Sequence, residues 1–369
     1  MVGIRKMVEK IKVAIIGCGQ ISDAHLSEIN LLPDAEIVAV CDLRKVLAED
    51  TAERFGIKKF YCDYNVMIED LNPDVVHITT PPHTHRPIGL DVIQQGCHAY
   101  IEKPFGINYQ EARELIEAAK QNRAIVCAGF SQLYDLVSQR LRKYIDEGRL
   151  GDVVHVETYY GNSLEGNFSR LFLQNKDHWL HSLPGKLFQN IISHALYHII
   201  PYFPTVIEHV FCFAQDRSKN GVFQDELRVM MQSGDVTAYL TFSSAVKPIT
   251  QFFRIYGTKS IVHVDLANHL FYSMASSSLP GPVARVRNAF VPAKQLLFEG
   301  FNNIRKMVNG NDRFFAGMGN LFKQLHENIR EGSIEPPIPY SHILSCSEIM
   351  DKISAQCQKI EKNRYSGGG

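Results

Sequence analysis

Three groups of residues in this 369-residue sequence have types and spacings suited to chemistry. In the first, Gly17 and Gly19 end the apolar run that starts at Val13, and Ser22 takes the third small position of a G-x-G-x-x-S pattern. The first glycine permits a tight turn and the second lets backbone approach a pyrophosphate. A helix starting near Ile21 aims its positive dipole end and first N–H groups, those of Gln20 and Ile21, at phosphate. Asp42 ends the next strand-like run 20 positions after Ser22, where a carboxylate accepts both ribose hydroxyls and repels a 2′-phosphate. That favours NAD, while Arg44 supplies a counter-charge that keeps NADP open. In the second group, Lys103 follows the run "CHAYIE"; an ammonium at that strand end can orient a reacting hydroxyl and stabilise a developing oxyanion. In the third, "LFQNIISHALYHII" sets Asn190, His194 and His198 at i, i+4 and i+8 on one helix face, with Tyr197 a turn beyond His194. An imidazole titrates near neutrality, which suits His194 as general base.

His194 and His198 also have the spacing of a helical metal pair. No glutamate of an HExxH motif lies between them and no third ligand is near in sequence, so no metal is expected. Just upstream, His181 and Lys186 join Tyr197 and His198 as candidate substrate contacts. Lys186 stands beside a helix N-terminus, where it can meet an anionic substrate group; the plain alternative is a solvated loop lysine.

Elements must hold these residues. Short β-branched runs ("KVAIIG", "EIVAVCD", "DVVHITT", "CHAYIEK", "AIVCAGF") alternate with helical stretches over the first third. That texture indicates βαβ units and a parallel sheet. The helix after Asn108 carries Ala112, Leu115, Ile116 and Ala119 on one face. After "EGRLGD" strand-like runs follow one another directly, from "VVHVETYYG" to "SIVHVDL", as in an antiparallel sheet. The expected architecture is an α/β Rossmann domain (1–130), an α+β domain with a large open, mainly antiparallel sheet (131–340), and a C-terminal helix (341–369) packing back on the first domain.

Composition limits the function classes. Lys plus Arg and Asp plus Glu balance at 39 each, so no global field draws the chain to nucleic acid. Eight scattered cysteines without a CxxC pair favour a reducing compartment. No apolar run approaches the ~20 residues of a membrane span, and none suits a signal peptide. A cytoplasmic location is the expectation.

The segment "TTPPHTHRPIGLDVIQQGCHAYIEKPFGINYQEARELIEAAK" resembles the Gfo/Idh/MocA oxidoreductases, the glucose–fructose oxidoreductase and inositol dehydrogenase family. The likeness extends to the glycine loop, Asp42, the P-P-x-x-H stretch, the E-K-P triplet of Glu102, Lys103 and Pro104, "LRKYIDEGRLGDVVHVE" and "RIYGTKSIVHVD". It implies hydride exchange between NAD and a carbinol carbon, usually of a sugar or cyclitol, with nucleotide sugars included. By resemblance, Thr80, Pro81, His83, His85, Glu102 and Lys103 line the cofactor, and Lys103, His194 and Asn190 are catalytic. The family typically has Asp where Asn190 stands, and a later Asp falls on Tyr197. Asn can orient but cannot stabilise an imidazolium, so Lys103, His181 or Tyr197 would carry more of the chemistry. Family members commonly pair, so a homodimer or homotetramer is expected. Two rival readings are transient use of a tightly bound NAD in elimination or glycoside cleavage, and a non-catalytic dinucleotide sensor.

Residues 281–313 match nothing in this scheme. Leu297, Phe301, Ile304 and Val308 form a stripe at helical spacing, beside six basic residues (Arg285, Arg287, Lys294, Arg305, Lys306, Arg313) against Glu299 and Asp312, a net of +4. Most such stripes are core, and burial is the expectation; contact with a membrane surface or a lipid-linked substrate is the alternative.

Overall fold

The computed structural model describes residues 10–165, 167–175, 177–219, 223–309 and 313–366. Asp312 and the terminal glycines 367–369 lie outside the described residues. The β-branched runs of the first third form β1 (Ile11–Ile16), β2 (Ala35–Cys41), β3 (Phe60–Tyr61), β4 (Val75–Ile78), β5 (His98–Ile101) and β6 (Val126–Ala128). All pair in parallel, in the order β3-β2-β1-β4-β5-β6. The second sheet is built from β7 (Val153–Gly161), β8 (His209–Gln215), β9 (Glu226–Ser233), β10 (Val236–Ser243), β11 (Gln251–Gly257), β12 (Ser260–Asp265) and β13 (Leu270–Ala275). Its order is β13-β12-β11-β7-β10-β9-β8, antiparallel except where β7 and β10 run side by side in parallel. The helices are α1 (Gln20–Asn30), α2 (Lys45–Phe55), α3 (Tyr64–Leu71), α4 (His85–Gln94), α5 (Tyr109–Gln121), α6 (Leu136–Asp146), α7 (Asn167–Gln174), α8 (Lys186–Ile191), α9 (Ser193–Tyr197), α10 (Gly281–Val308), α11 (Ala316–Arg330) and α12 (Tyr340–Ser366).

The first sheet has the doubly wound order in which connections reverse beside β1, the place where such folds bind dinucleotides. Every residue of β4 is buried, as a central strand covered on both faces requires. On α5 the side chain of Asn108 accepts from the Glu111 amide, and Ala112, Leu115, Ile116 and Ala119 are its buried face.

The second sheet is half bare. Burial alternates along β9 and β10, and Phe211, Phe213, Met230 and Tyr239 point to solvent from the uncovered face. Both of its edges are closed by a glutamine acting like another strand. Gln295 of α10 accepts from Ser273 N (3.0 Å) and donates to Ser273 O (2.9 Å) on β13. Gln356 of α12 accepts from Cys212 N (3.0 Å) and donates to Val210 O (2.7 Å) on β8. Each pair engages one N–H and one C=O of its edge strand.

The chain divides into two compact units: residues up to Ser131 with Phe315–Leu344, and Gln132–Phe314 with the residues from Ser345 on. This corrects the boundaries expected from sequence. The segment that returns to the first unit is 315–344, because α11 buries Met318, Leu321, Phe322 and Leu325 and packs on α1. Most of 341–369 belongs instead to the second unit, tied to β8 through Gln356.

Candidate active site

Four neighbouring strands of the first sheet end along one edge, and each delivers part of the candidate site. In sheet order, β2 leads to Asp42, β1 to Gly17 and Gly19, β4 to Thr80 and Pro81, and β5 to Glu102 and Lys103. Strand polarity alone puts these residues side by side.

The glycine loop has two different glycines. Gly17 has φ +101°, and a Cβ there would lie 2.8 Å from the Thr80 amide nitrogen and from its Cγ2. No side chain fits. Gly19 caps α1 in an extended conformation (φ −86°), and a Cβ there would meet nothing within 4 Å. That bare space lies before the first turn of α1, where the amides of Gln20 and Ile21 lack intrahelical acceptors. Ser22 is buried and its hydroxyl donates to the Gly19 carbonyl, holding the turn. Asp42 braces the loop from β2: one carboxylate oxygen accepts from Cys18 N (2.9 Å) and the other from Arg44 N (2.8 Å). The exposed Arg44 guanidinium stands 3.8 Å from the same carboxylate. An open cradle of amides with a carboxylate at the next strand end fits a dinucleotide.

Lys103 is half-buried beside this edge, and burial lowers its ammonium below the ordinary lysine range while the Glu102 carboxylate pulls the other way. Glu102, expected to line the cofactor, is engaged by protein partners. It is buried, with one oxygen accepting from Lys103 N (3.1 Å) and the other 3.1 Å from His25 Nε2. An ionised carboxylate only accepts, so His25 Nε2 carries the proton and His25 Nδ1 accepts from His77 Nδ1, 3.0 Å away. Although burial disfavours its charged form, Glu102 is held below the usual glutamate range by His25 and by Lys103. Tyr100 stacks on His77, and Phe322 of α11 meets His25, His77 and Tyr100 edge-on or tilted. This aromatic–imidazole cluster went unseen in the sequence. Its one signal was His25 among Ser22, Leu26 and Ile29 on the buried face of α1.

His85 is corrected too. Rather than lining the cofactor, it is fully buried, with Nε2 2.8 Å from Thr80 O and Nδ1 2.9 Å from Pro104 O. It ties the P-P-x-x-H loop to the E-K-P loop, and burial keeps its pKa low against two carbonyls that favour the charged form. Thr80 and Pro81 are half-buried and His83 is exposed.

In the second unit, the stretch read as one helix is two, α8 and α9, meeting at Ile192. The break separates Asn190 on α8 from His194 on α9; His194 and His198, on α9 and its C-cap, meet different partners. His194, half-buried, stacks on Tyr160 of β7 (5.4 Å between rings, 4° between planes). Its Nδ1 lies 2.7 Å from the Tyr197 hydroxyl, which donates to Gln132 Oε1 at 3.0 Å. With its own hydrogen so committed, Tyr197 accepts from His194 Nδ1–H, which leaves the basic lone pair on Nε2. Gln132 also bonds the Tyr160 hydroxyl, whose pKa burial pushes far up. Gln132 and Tyr160 were missed in the sequence, though the period-2 burial of Val156, Thr158 and Tyr160 on β7 carried the signal.

His198 is corrected from substrate contact to core. It is buried, stacks on Phe253 of β11 (4.6 Å), and burial drives its pKa down to about 3. Its Nε2 has no hydrogen-bond partner among the described residues. Lys186 is likewise no open anion contact, since its ammonium pairs with Glu361 at 3.1 Å. His181 Nε2 donates to Phe172 O (2.7 Å), and Asn190 is buried. Among the described residues, no three His, Cys, Asp or Glu side chains gather as a metal cage.

Known proteins resemble both units. Residues 11–130 match a family described as "Oxidoreductase family, NAD-binding Rossmann fold", and residues 138–263 match the GFO/IDH/MocA C-terminal domain. The chain is 34% identical to the D-glucoside 3-dehydrogenase of Escherichia coli (strain K12) over 144 residues, 39% of this chain and 41% of that protein. It is 27% identical to the myo-inositol 2-dehydrogenase of Thermotoga maritima over 140 residues, 38% and 42% of the two chains. These matches span about two fifths of the relatives' length. Among solved structures, the fold is similar to the WlbA dehydrogenase from Bordetella pertussis in complex with NADH and UDP-GlcNAcA, with TM-score 0.77, 17% identity and coverage of 95% and 96%. It is also similar to the myo-inositol 2-dehydrogenase from Lactobacillus plantarum, with TM-score 0.73, 17% identity and coverage of 96% and 98%.

Proposed function

This chain belongs to the Gfo/Idh/MocA oxidoreductases, and from that premise we propose that it is an NAD-dependent dehydrogenase acting on a secondary alcohol of a sugar, cyclitol or nucleotide sugar. The observation that carries the reading is the shared strand edge, on which the open Gly19 cradle, Asp42 and Lys103 stand on neighbouring strands. Bound NAD supplies the hydride acceptor. Asp42 receives the ribose hydroxyls and its charge disfavours a 2′-phosphate. Lys103 orients the alcohol oxygen and stabilises negative charge developing on it as the O–H bond breaks, which a lysine brought down from its ordinary range can also do by sharing a proton. Glu102, His25 and His77 hold that lysine's backbone and its electrostatic surroundings from beneath. In the second unit His194 is the proposed base, taking the hydroxyl proton at Nε2, with Tyr197 and Gln132 fixing its tautomer in place of a partner carboxylate. We also propose that copies of the chain pair through the bare face of the second sheet, which exposes Phe211, Phe213, Met230 and Tyr239.

The test is a screen of sugars, cyclitols and nucleotide sugars with NAD and NADP in parallel, followed by absorbance of reduced nicotinamide. One substrate class should reduce NAD, with the signal lost in Lys103→Met and strongly lowered in His194→Gln. Failure of every alcohol, together with failure of the matching ketones to oxidise NADH, would refute the reading. Light scattering that gives a monomer at micromolar concentration would refute the pairing.

A further inference from the structure

The insertion at 281–313 turns its apolar stripe outward. One face of α10 closes the edge of β13 through Gln295, through Arg287 Nη1 to Ala275 O (3.2 Å) and through Asn303 Nδ2 to Asn268 O (2.9 Å). Glu299, the helix's sole carboxylate, is buried and paired with Arg140 at 2.6 Å. The opposite face carries Val286, Phe290, Leu297, Phe301, Ile304 and Val308, in steps of three, four and seven residues. All are more than half exposed, with Phe290 at 71%, Phe301 at 69% and Val308 at 74%. The expectation that this stripe is core is thereby overturned. A continuous row of large apolar side chains on a surface marks a docking face.

Charge identifies the occupant. At 100° per residue, Arg287, Lys294 and Arg305 fall in one row along a single flank of the stripe. The other flank holds Ala289, Leu296 and Gly300, with Arg285 at its margin. A groove of about 730 Å³ between α6 and α10 gathers Arg140, Lys143, Arg305 and Lys306 against the buried Glu299 alone. This concentration of cations stands on a chain whose acidic and basic residues balance overall. Two copies packed antiparallel would set basic row against basic row, and no exposed acidic residue on α10 would relieve the repulsion. An anionic surface relieves all of it.

We propose that α10 lies on an anionic bilayer, its apolar stripe at the headgroup–acyl boundary and its basic row and groove on lipid phosphates. No helix among the described residues is long and apolar enough to cross a membrane, so α10 rests in the interface. Each Lys or Arg near such a surface contributes a factor of about five in affinity, screened by salt.

The full chain is sedimented with phosphatidylcholine vesicles with and without phosphatidylglycerol, at low and high salt, and its mass is measured by light scattering without lipid. The expected result is binding to the anionic vesicles alone, reversed by salt. Phe301→Asp and the double variant Lys294→Glu/Arg305→Glu should each lower partitioning by about tenfold or more. Their melting temperatures and dinucleotide affinities should not change, because these side chains are exposed and belong to the second unit, whereas the glycine loop belongs to the first. Wild-type protein that stays in the supernatant with both vesicle types overturns the proposal. So does a Phe301→Asp variant that lowers the mass of a lipid-free oligomer while its vesicle binding equals wild type, which would assign the stripe to a second copy.

Discussion

Replacing Gly17 and Gly19 by alanine, one at a time, should separate folding from binding within a single loop. At Gly17 the φ of +101° costs an L-residue about 1–3 kcal/mol. The new methyl, 2.8 Å from the Thr80 backbone, adds overpacking of about 1–3 kcal/mol. Neither neighbour yields easily, because the contact is with main chain between β4 and its loop. The sum, about 2–6 kcal/mol, is a large part of ordinary domain stability, and at about 2–4 °C per kcal/mol it predicts melting lower by roughly 5–20 °C. Gly19→Ala meets nothing within 4 Å and has an extended backbone that any residue adopts, so its cost is the cap preference, under about 1 kcal/mol. Its methyl nevertheless stands in the proposed pyrophosphate seat, and affinity for NADH should fall about tenfold or more, about 1.4 kcal/mol. Differential scanning fluorimetry and NADH fluorescence titration on both variants read the two effects. A Gly19→Ala protein that binds NADH like wild type would show that the loop seats no phosphate. A Gly17→Ala protein with unchanged melting would refute the packing described for Thr80.

Three further outcomes follow from the same geometry. Asp42→Ala should weaken NAD and narrow the preference for NAD over NADP by about tenfold or more, read by titrating both reduced dinucleotides; an unchanged ratio would free Asp42 of the ribose role. Lys103→Met should cut kcat by about 10²–10⁴ while dinucleotide affinity stays near wild type, since the role proposed for Lys103 is on the alcohol and its backbone contacts remain; stopped-flow turnover beside the titration checks both. For pH, burial lowers His198 to about 3 and both His263 and His326 to about 4. The unfolded chain takes up these protons below about 6.5 and the folded chain does not, so stability is full above that pH and falls as pH drops toward 4, at about 1.4 kcal/mol per pH unit for each proton. Melting curves across pH should show this slope, and His198→Leu should flatten it; an unchanged slope would mean that His198 is not buried in neutral form.

The sequence by itself determined which residues end the strands along one edge of the first sheet. Gly17, Gly19, Asp42 and Lys103 are placed by strand polarity and by turns of a few residues, both of which are local, so their types and spacing sufficed. It also determined the change from a parallel to a mainly antiparallel sheet, because strands joined without a crossover helix must pair antiparallel with a neighbour or return from the other edge. Tertiary structure decided the rest. His85 and Glu102 look like ligand contacts in their motifs, but the Pro104 carbonyl on His85 and the His25 imidazole on Glu102 arrive from elsewhere in the unit. His194 stacks on Tyr160 and His198 on Phe253, partners on two strands that no local pattern connects to them. The stripe on α10 makes the reason plain. Periodicity says which side chains share a face, but whether that face turns inward depends on what packs against the helix, and here the edge of β13 claimed the polar side.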